Sequence, residues 1–231
     1  MKIALLNGSP KPKNSSSGIL LTDLKRCLSE QPDIIEAALH HTAVSEETLS
    51  ELQNADAWVI SCPLYVDGIP GHLLSCLAAL EKYNREKSNQ ENGTSKQRRI
   101  QVYGIVNCGF YEGIQAETAL EILENWCAKA NLIWGGGIGV GGGGGLAMMS
   151  SPKPGTGPKA PINKALQAMA VKILRQEVQP NCYVSVAFPR FLYKMAAQAG
   201  WRQMFRQTGD GRRICKKRRQ KLLSEKLFSK Y

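Results

Sequence analysis

The sequence predicts a doubly wound α/β protein, a parallel sheet with helices on both faces. Three observations predict it. Short, nearly all-apolar runs alternate with segments of helical spacing along residues 1–178. The runs lack a polar face, the mark of strands buried on both sides. The chain has 231 residues, 43% hydrophobic and 21% charged, which suits one packed core and excludes wholesale disorder.

Each element has its own reason. Lys2–Asn7 reads as a strand ending in Gly8-Ser9-Pro10, followed by a polar loop over Lys11–Ser17. Gly18–Glu30 places Ile19, Leu20, Leu24, Cys27 and Leu28 at helical spacing. Ile34–Leu39 is a second strand, and Ser45 before Glu46 and Glu47 caps a short helix reaching about Asn54. Ala57–Cys62 is a continuous apolar strand closed by Pro63. Pro70 suits the first position of a helix carrying Leu73, Leu74, Leu77 and Leu80. Residues 84–99 are polar and read as a loop. Ile100–Asn107 is a fourth strand, Ile114–Ala130 a helix, Leu132–Val140 a fifth strand and Pro161–Val178 a fifth helix. Ser150–Pro161, rich in Pro and Gly, reads as a loop.

Composition bounds the function. Ala130–Pro152 carries no charge, but nine of its residues are Gly, each costing a helix about 1 kcal/mol relative to Ala. It reads as a strand and a glycine loop, not a membrane span. The N-terminal apolar run turns polar at Asn7, too soon for a secretory signal. Seven cysteines form no CxxC pair and only three histidines accompany them, which argues against a zinc site and for a reducing cytoplasm.

The net charge of +11 is segregated. Residues 1–189 balance, with 17 basic and 17 acidic side chains, whereas residues 190–231 hold 13 Lys and Arg against Asp210 and Glu225. A domain over 1–179 therefore precedes a basic helical extension over 180–231. There Phe188, Phe191, Leu192, Met195, Ala199, Trp201, Met204 and Phe205 recur at spacings of three and four among Arg190, Lys194, Arg202 and Arg206. The segment Arg212-Arg213-Ile214-Cys215-Lys216-Lys217-Arg218-Arg219 follows. Three readings fit: a helix docked on the domain or a twin subunit, weak attachment to an anionic membrane or acidic partner, and nucleic-acid binding, for which no known motif is complete.

In open α/β sheets ligands bind beyond the carboxyl ends of the strands. Three such ends are unusual here. Gly8–Ser17 offers hydroxyls and helix-start amides that suit a phosphate. Pro63–Gly68 and Asn107–Gly113 combine planar apolar side chains with Gly and polar groups, as a flat heteroaromatic ring requires. A P-loop is excluded because its second Gly would fall on Lys13. The GxGxxG string at Gly137–Gly142 opens no helix, and no acidic residue lies between Glu124 and Glu177 to hold a ribose.

Gly8-Ser9-Pro10-Lys11 with Asn14-Ser15-Ser16-Ser17 resembles the phosphate loop of the flavodoxin-like NAD(P)H-dependent FMN reductases and quinone reductases. Pro63-Leu64-Tyr65-Val66-Asp67-Gly68-Ile69-Pro70 resembles their strand-three motif, and Asn107-Cys108-Gly109-Phe110 their fourth loop. The resemblance spans about residues 1–178. It implies a flavodoxin-like five-stranded sheet of order 2-1-3-4-5 and FMN as cofactor. Ser9, Asn14, Ser15, Ser16 and Ser17 would hold the phosphate, with Lys11 where the family often carries an Arg. Pro63, Leu64, Tyr65, Val66 and Asp67 would line one edge of the flavin, and Asn107, Cys108, Gly109, Phe110, Tyr111 and Glu112 another. Backbone N–H groups near Tyr65–Asp67 and Cys108–Phe110 would face the ring. The resemblance further implies NAD(P)H as donor, a small-molecule acceptor and a homodimer. No side chain need act as a nucleophile. A flavodoxin-type electron carrier, and a regulatory module that has lost its flavin, are the other functions the fold would serve.

Overall fold

A computed structural model of the chain describes residues 1–28, 32–90, 99–148 and 156–207. Its strands are β1 (Lys2–Asn7), β2 (Asp33–Ala38), β3 (Ala57–Pro63), β4 (Gln101–Asn107), β5 (Ile133–Val140) and β6 (Cys182–Val184). All pair in parallel, in the order β2-β1-β3-β4-β5-β6. The helices are α1 (Ser16–Cys27), α2 (Glu46–Gln53), α3 (Gly71–Gln90), α4 (Glu117–Lys129), α5 (Ala160–Leu174) and α6 (Arg190–Gln207). The chain forms two compact units, Met1–Ala187 and Phe188–Tyr231. In the first, strand order reverses between β1 and β3, which opens a crevice at their carboxyl ends.

The first unit's core follows from the apolar strands. Trp58, Ile60, Leu73, Leu77, Leu120 and Leu123 are buried in one cluster on the face that carries α2, α3 and α4. On the other face α1 and α5 pack together, burying Leu20, Leu24, Leu166 and Ile173. Ser45 caps α2 as expected, its hydroxyl accepting from the Thr48 N–H at 3.2 Å.

The structure corrects the expected architecture in three places. A sixth strand extends the five-stranded sheet: β6 pairs with β5 through Ile138–Cys182, Gly139–Tyr183 and Val140–Val184. The boundary after residue 179 would cut this strand off, and the first unit runs to Ala187. The loop expected over 84–99 begins later, because α3 continues to Gln90. Its polar last turns gain i,i+4 pairs from Arg85 to Glu81 and from Lys82 to Glu86. Gln53 also reaches across from α2 to the buried Asn84. Finally, a 3₁₀ turn over Gly113–Ala116 precedes α4, and α5 stops at Leu174. Residues 150–155 of the expected Pro/Gly loop and the basic run Arg212–Arg219 lie outside the described residues.

The uncharged 130–152 stretch supplies β5 and a 3₁₀ turn at Gly143–Met148. No helix among the described residues is long and apolar enough to cross a membrane. The β5 glycines serve close packing. A Cβ on Gly135 would stand 2.6 Å from the Tyr103 ring, one on Gly137 2.5 Å from Leu120 Cδ2, and one on Gly139 2.5 Å from the Gly113 carbonyl. Gly136 adopts φ 107°, where β5 slips register against Val102 and Tyr103. The GxGxxG string is thus accounted for by a crowded strand, as the missing ribose carboxylate suggested.

Candidate functional site

The carboxyl ends of β1, β3 and β4 lie side by side, with Asn7 paired to Ser61 and Pro63 to Asn107 in register. The first loop leaves β1 at Gly8, whose N–H donates to the Ser61 carbonyl at 2.8 Å. A Cβ there would come 2.7 Å from Leu73 Cδ2 and 3.2 Å from Cys62 Cβ, so a side chain at this position would push the Leu73 side chain of α3 aside. Asn14 then turns the chain at φ 52°, and Ser15 caps α1.

Hydrogen bonding divides the four serines into two kinds. Ser15 Oγ accepts from the Gly18 N–H at 3.1 Å and from Asn7 Nδ2 at 3.4 Å. Both lone pairs are engaged, which leaves its own proton to donate outward. Ser9 Oγ accepts from the Lys11 N–H at 3.2 Å and likewise keeps its proton. Ser16 and Ser17 differ. Ser16 Oγ donates to the Gly143 carbonyl at 2.6 Å, and the buried Ser17 Oγ donates to Asn107 Oδ1 at 2.8 Å. Their hydroxyls hold the scaffold together, and what they offer an anion is their backbone N–H groups in the first turn of α1, which have no intrahelical acceptor. Lys11 is exposed.

The second loop is a tight hairpin. Tyr65 and Gly68 exchange N–H···O bonds of 2.8 and 3.1 Å around Val66 (φ 47°) and Asp67 (φ 62°). Both central residues are left-handed, as in a type I′ turn, which normally carries Asn or Gly. Val66 is therefore strained, and it is 99% exposed. Pro63 ends β3. Leu64 is buried in the core and spends its N–H on the Asn107 carbonyl at 2.8 Å, so it supports the loop from beneath.

The third loop is tied to the glycine turn after β5. The Cys108 N–H donates to Val140 O at 2.9 Å, Gly143 N–H to Cys108 O at 2.7 Å, and Gly142 N–H to Phe110 O at 2.6 Å. Of the amides expected to face a ring, those of Tyr65 and Cys108 are consumed in these bonds. The amides of Val66, Asp67 and Phe110 have no acceptor among the described residues. Tyr65 and Phe110 expose about half their surface on neighbouring loops. Gly109, Tyr111 and Glu112 complete the third loop, each already engaged in contacts of its own.

Asn107 is the hub. Its side chain binds α1 through Ser17, its carbonyl binds the second loop through Leu64, and its backbone ends β4. On β3, Ser61, fully buried and in register with Asn7 and Ile105, has a hydroxyl with no hydrogen-bond partner among the described residues. Sequence reasoning missed three contributors. Asn7 holds Ser15, and its signal was a lone polar residue ending an apolar strand. Gly143 joins α1 to the third loop, signalled only by the Gly run. His40 Nδ1 donates to the Ser9 carbonyl at 2.5 Å, which no local pattern announces.

The buried thiols are poor nucleophiles. Desolvation pushes Cys62 up to about 12 and raises Cys108, whose Sγ contacts the Phe110 and Glu112 carbonyls. A cavity of about 1020 Å³ reaches the first loop at Asn14 and Ser15 and continues along α1 and β2 past His40 and the buried Lys159–Asp23 ion pair. It includes nothing from residues 63–67 or 107–112, so it is separate from the face shared by those two loops.

No protein-family model matches the chain, and no curated protein matches its sequence. Solved structures do. An NADH:FMN oxidoreductase in its apo form superposes with a TM-score of 0.53 at 13% identity, over 77% of this chain and 90% of that one. The WrbA-like flavodoxin from Agrobacterium tumefaciens superposes with a TM-score of 0.51 at 13% identity, over 76% of this chain and 98% of that one. Rubredoxin oxygen:oxidoreductase from Desulfovibrio gigas is matched with a TM-score of 0.49 at 15% identity, over 76% of this chain and only 35% of that one. At such identities the likeness is one of fold, and the fold is flavodoxin-like.

Proposed function

We propose that the chain is an FMN-dependent oxidoreductase that passes electrons from NAD(P)H through bound FMN to a small acceptor such as a quinone, an azo compound or free flavin, acting in the cytoplasm as a homodimer. One observation carries this reading. The three loops that suit a phosphate and a flat ring meet at the strand-order reversal and are joined through Asn107. The flavodoxin-like fold supports it, as do the names of two neighbours, an NADH:FMN oxidoreductase and a flavodoxin.

The residues fit FMN in the following way. The outward protons of Ser9 and Ser15 and the amides of Ser16 and Ser17 would hold the phosphate, aided by the positive end of the α1 dipole and by Lys11. Asn14 gives the loop its turn. The exposed Tyr65 and Phe110 rings would bound the isoalloxazine, with the amides of Val66, Asp67 and Phe110 at its edge. FMN supplies the two-electron chemistry when bound. The protein's part is to bind, orient and exclude water, and no side chain has to form a covalent bond.

The test is a pair of titrations of the purified protein, with FMN and with riboflavin, followed by absorbance. FMN should bind more tightly, by about tenfold or more for a charge-assisted phosphate site, and Ser15→Ala should narrow that gap. Equal affinities would remove the role given to the first loop. With FMN bound, NAD(P)H oxidation should give parallel double-reciprocal lines against a quinone. Flavin that a protein partner reduces but NAD(P)H does not would make the chain an electron carrier instead.

A further inference from the structure

We infer that His40 is a positioning residue for the first loop: by holding the Ser9 carbonyl it presets the Ser9 hydroxyl, and so it sets how strongly the site prefers a phosphorylated flavin to an unphosphorylated one. The inference rests on the flavin reading and names what tunes that site. It starts from register. Asn7 lies opposite Ala38 in the β1–β2 ladder, and the Leu39 N–H extends the ladder by one bond, donating to the Asn7 carbonyl at 2.8 Å. Two residues further along both chains His40 falls beside Ser9, and its Nδ1 stands 2.5 Å from the Ser9 carbonyl oxygen. A carbonyl can only accept, so Nδ1 carries the proton of this bond.

The loop needs such a brace because its own backbone supplies little. Pro10 and Pro12 bring no N–H groups. Among the described residues no main-chain group bonds to the backbone of Ser9, which is 4% exposed and so has little access to water. Its three polar groups are each held once. The N–H donates to Asn7 Oδ1 at 3.1 Å, the carbonyl accepts from His40, and Oγ accepts from the Lys11 N–H at 3.2 Å. Releasing the carbonyl lets the Ser9 peptide turn, and the outward Oγ proton turns with it. Asn7 carries the constraint to the second hydroxyl, since its Nδ2 donates to Ser15 Oγ at 3.4 Å. Gly18 leaves room for that contact: a Cβ there would stand 3.2 Å from Asn7 Nδ2 and 3.1 Å from Ser15 Oγ. His40, Asn7, Asn14 and Ser15 line the same cavity, so the His40 ring borders the loop and lies outside the hydrophobic core.

The experiment compares two substitutions that separate the ring from its donor. His40→Phe keeps a flat ring and loses the N–H, whereas His40→Asn loses the ring and keeps a side-chain N–H close to the place of Nδ1. Dissociation constants of the full chain for FMN and for riboflavin are measured by absorbance titration in the wild type and both variants. His40→Phe should weaken FMN binding about fivefold and riboflavin binding less than about twofold, the loss expected of one hydrogen bond. His40→Asn should keep the wild-type ratio of the two constants to within about twofold. Should His40→Phe not fold, His40→Gln, whose N–H sits one bond further out, takes its place with the same expected loss. The reverse order, with His40→Phe like the wild type and His40→Asn impaired, makes ring packing the role of His40 and overturns the inference. Equal weakening of both flavins by His40→Phe overturns it too, because the bond then serves the fold alone. A wild type with no preference for FMN overturns the phosphate reading of the first loop together with the inference. A wild-type preference that His40→Phe leaves intact overturns the inference and spares that reading.

Discussion

Asn107 and Ser17 show how much one buried pair can decide. Their 2.8 Å bond is buried, so Ser17→Ala leaves Asn107 Oδ1 short of a donor and should cost about 1–3 kcal/mol. Urea denaturation would measure it, and Ser16→Ala, at a less buried position, should cost less. Val66 works in the opposite direction. At φ 47° and fully in solvent it bears backbone strain with no packing in return, so Val66→Gly should raise stability by about 1 kcal/mol. If that variant also weakens FMN binding, the strain is part of the site. The buried thiols set a pH limit. Cys62 is raised from 9.0 to about 12 by desolvation, and Cys108, Cys127 and Tyr103 shift the same way. The folded chain keeps protons that the unfolded chain has released, so stability is intact below about pH 9 and falls as pH rises toward 12. The urea midpoint should decline over that window, and less steeply in Cys62→Ala. A slope that the substitution leaves unchanged would remove Cys62 from the account.

At the level of elements, β5 is set by what surrounds it. Gly139→Ala would drive a methyl to 2.5 Å from the Gly113 carbonyl and 2.7 Å from the Tyr183 ring, and should cost about 1–3 kcal/mol. Gly144→Ala meets nothing among the described residues within 4 Å and should be close to neutral. Melting curves of the two variants test the contrast. The same strand marks where sequence reading succeeds and where it stops. β1, β3 and β4 were legible because burial on both faces makes them apolar throughout, and α2 because Ser45 announces its start. The three loops were legible because strand-end chemistry is local. β6 was not: three residues between Asn181 and Ser185 carry too little periodicity, and its partner β5 lies more than forty residues away in the chain. The end of α3 was missed because polar helical turns resemble a loop until their i,i+4 partners are seen. The division of labour among Ser9, Ser15, Ser16 and Ser17 was likewise hidden, since it depends on Gly143 and Asn107, contributed by distant strand ends.

At the scale of the molecule, the first compact unit is balanced in charge and the second carries the whole net excess. The sheet and its helices close within Met1–Ala187, and β6 is the last piece of that closure. A chain ended after Ala187 should keep a cooperative transition and its FMN titration. One ended after Gln179 exposes the β5 edge, loses β6 and should melt well below it. Equal melting temperatures would show that β6 adds nothing, and calorimetry of both truncations decides the matter.

The crowding around the glycines has a consequence for mutational tolerance. A saturation library scored for protein abundance should be nearly empty at Gly113, Gly135, Gly137, Gly139 and Gly141, where any Cβ lands within 2.7 Å of a neighbour. It should be well populated at Gly109, where an added Cβ meets no atom of the described residues within 4 Å. The same library scored for flavin retention can then be compared position by position. If Gly109 tolerates substitution in the first screen and not in the second, the open space above it is reserved for a ligand and not for the fold.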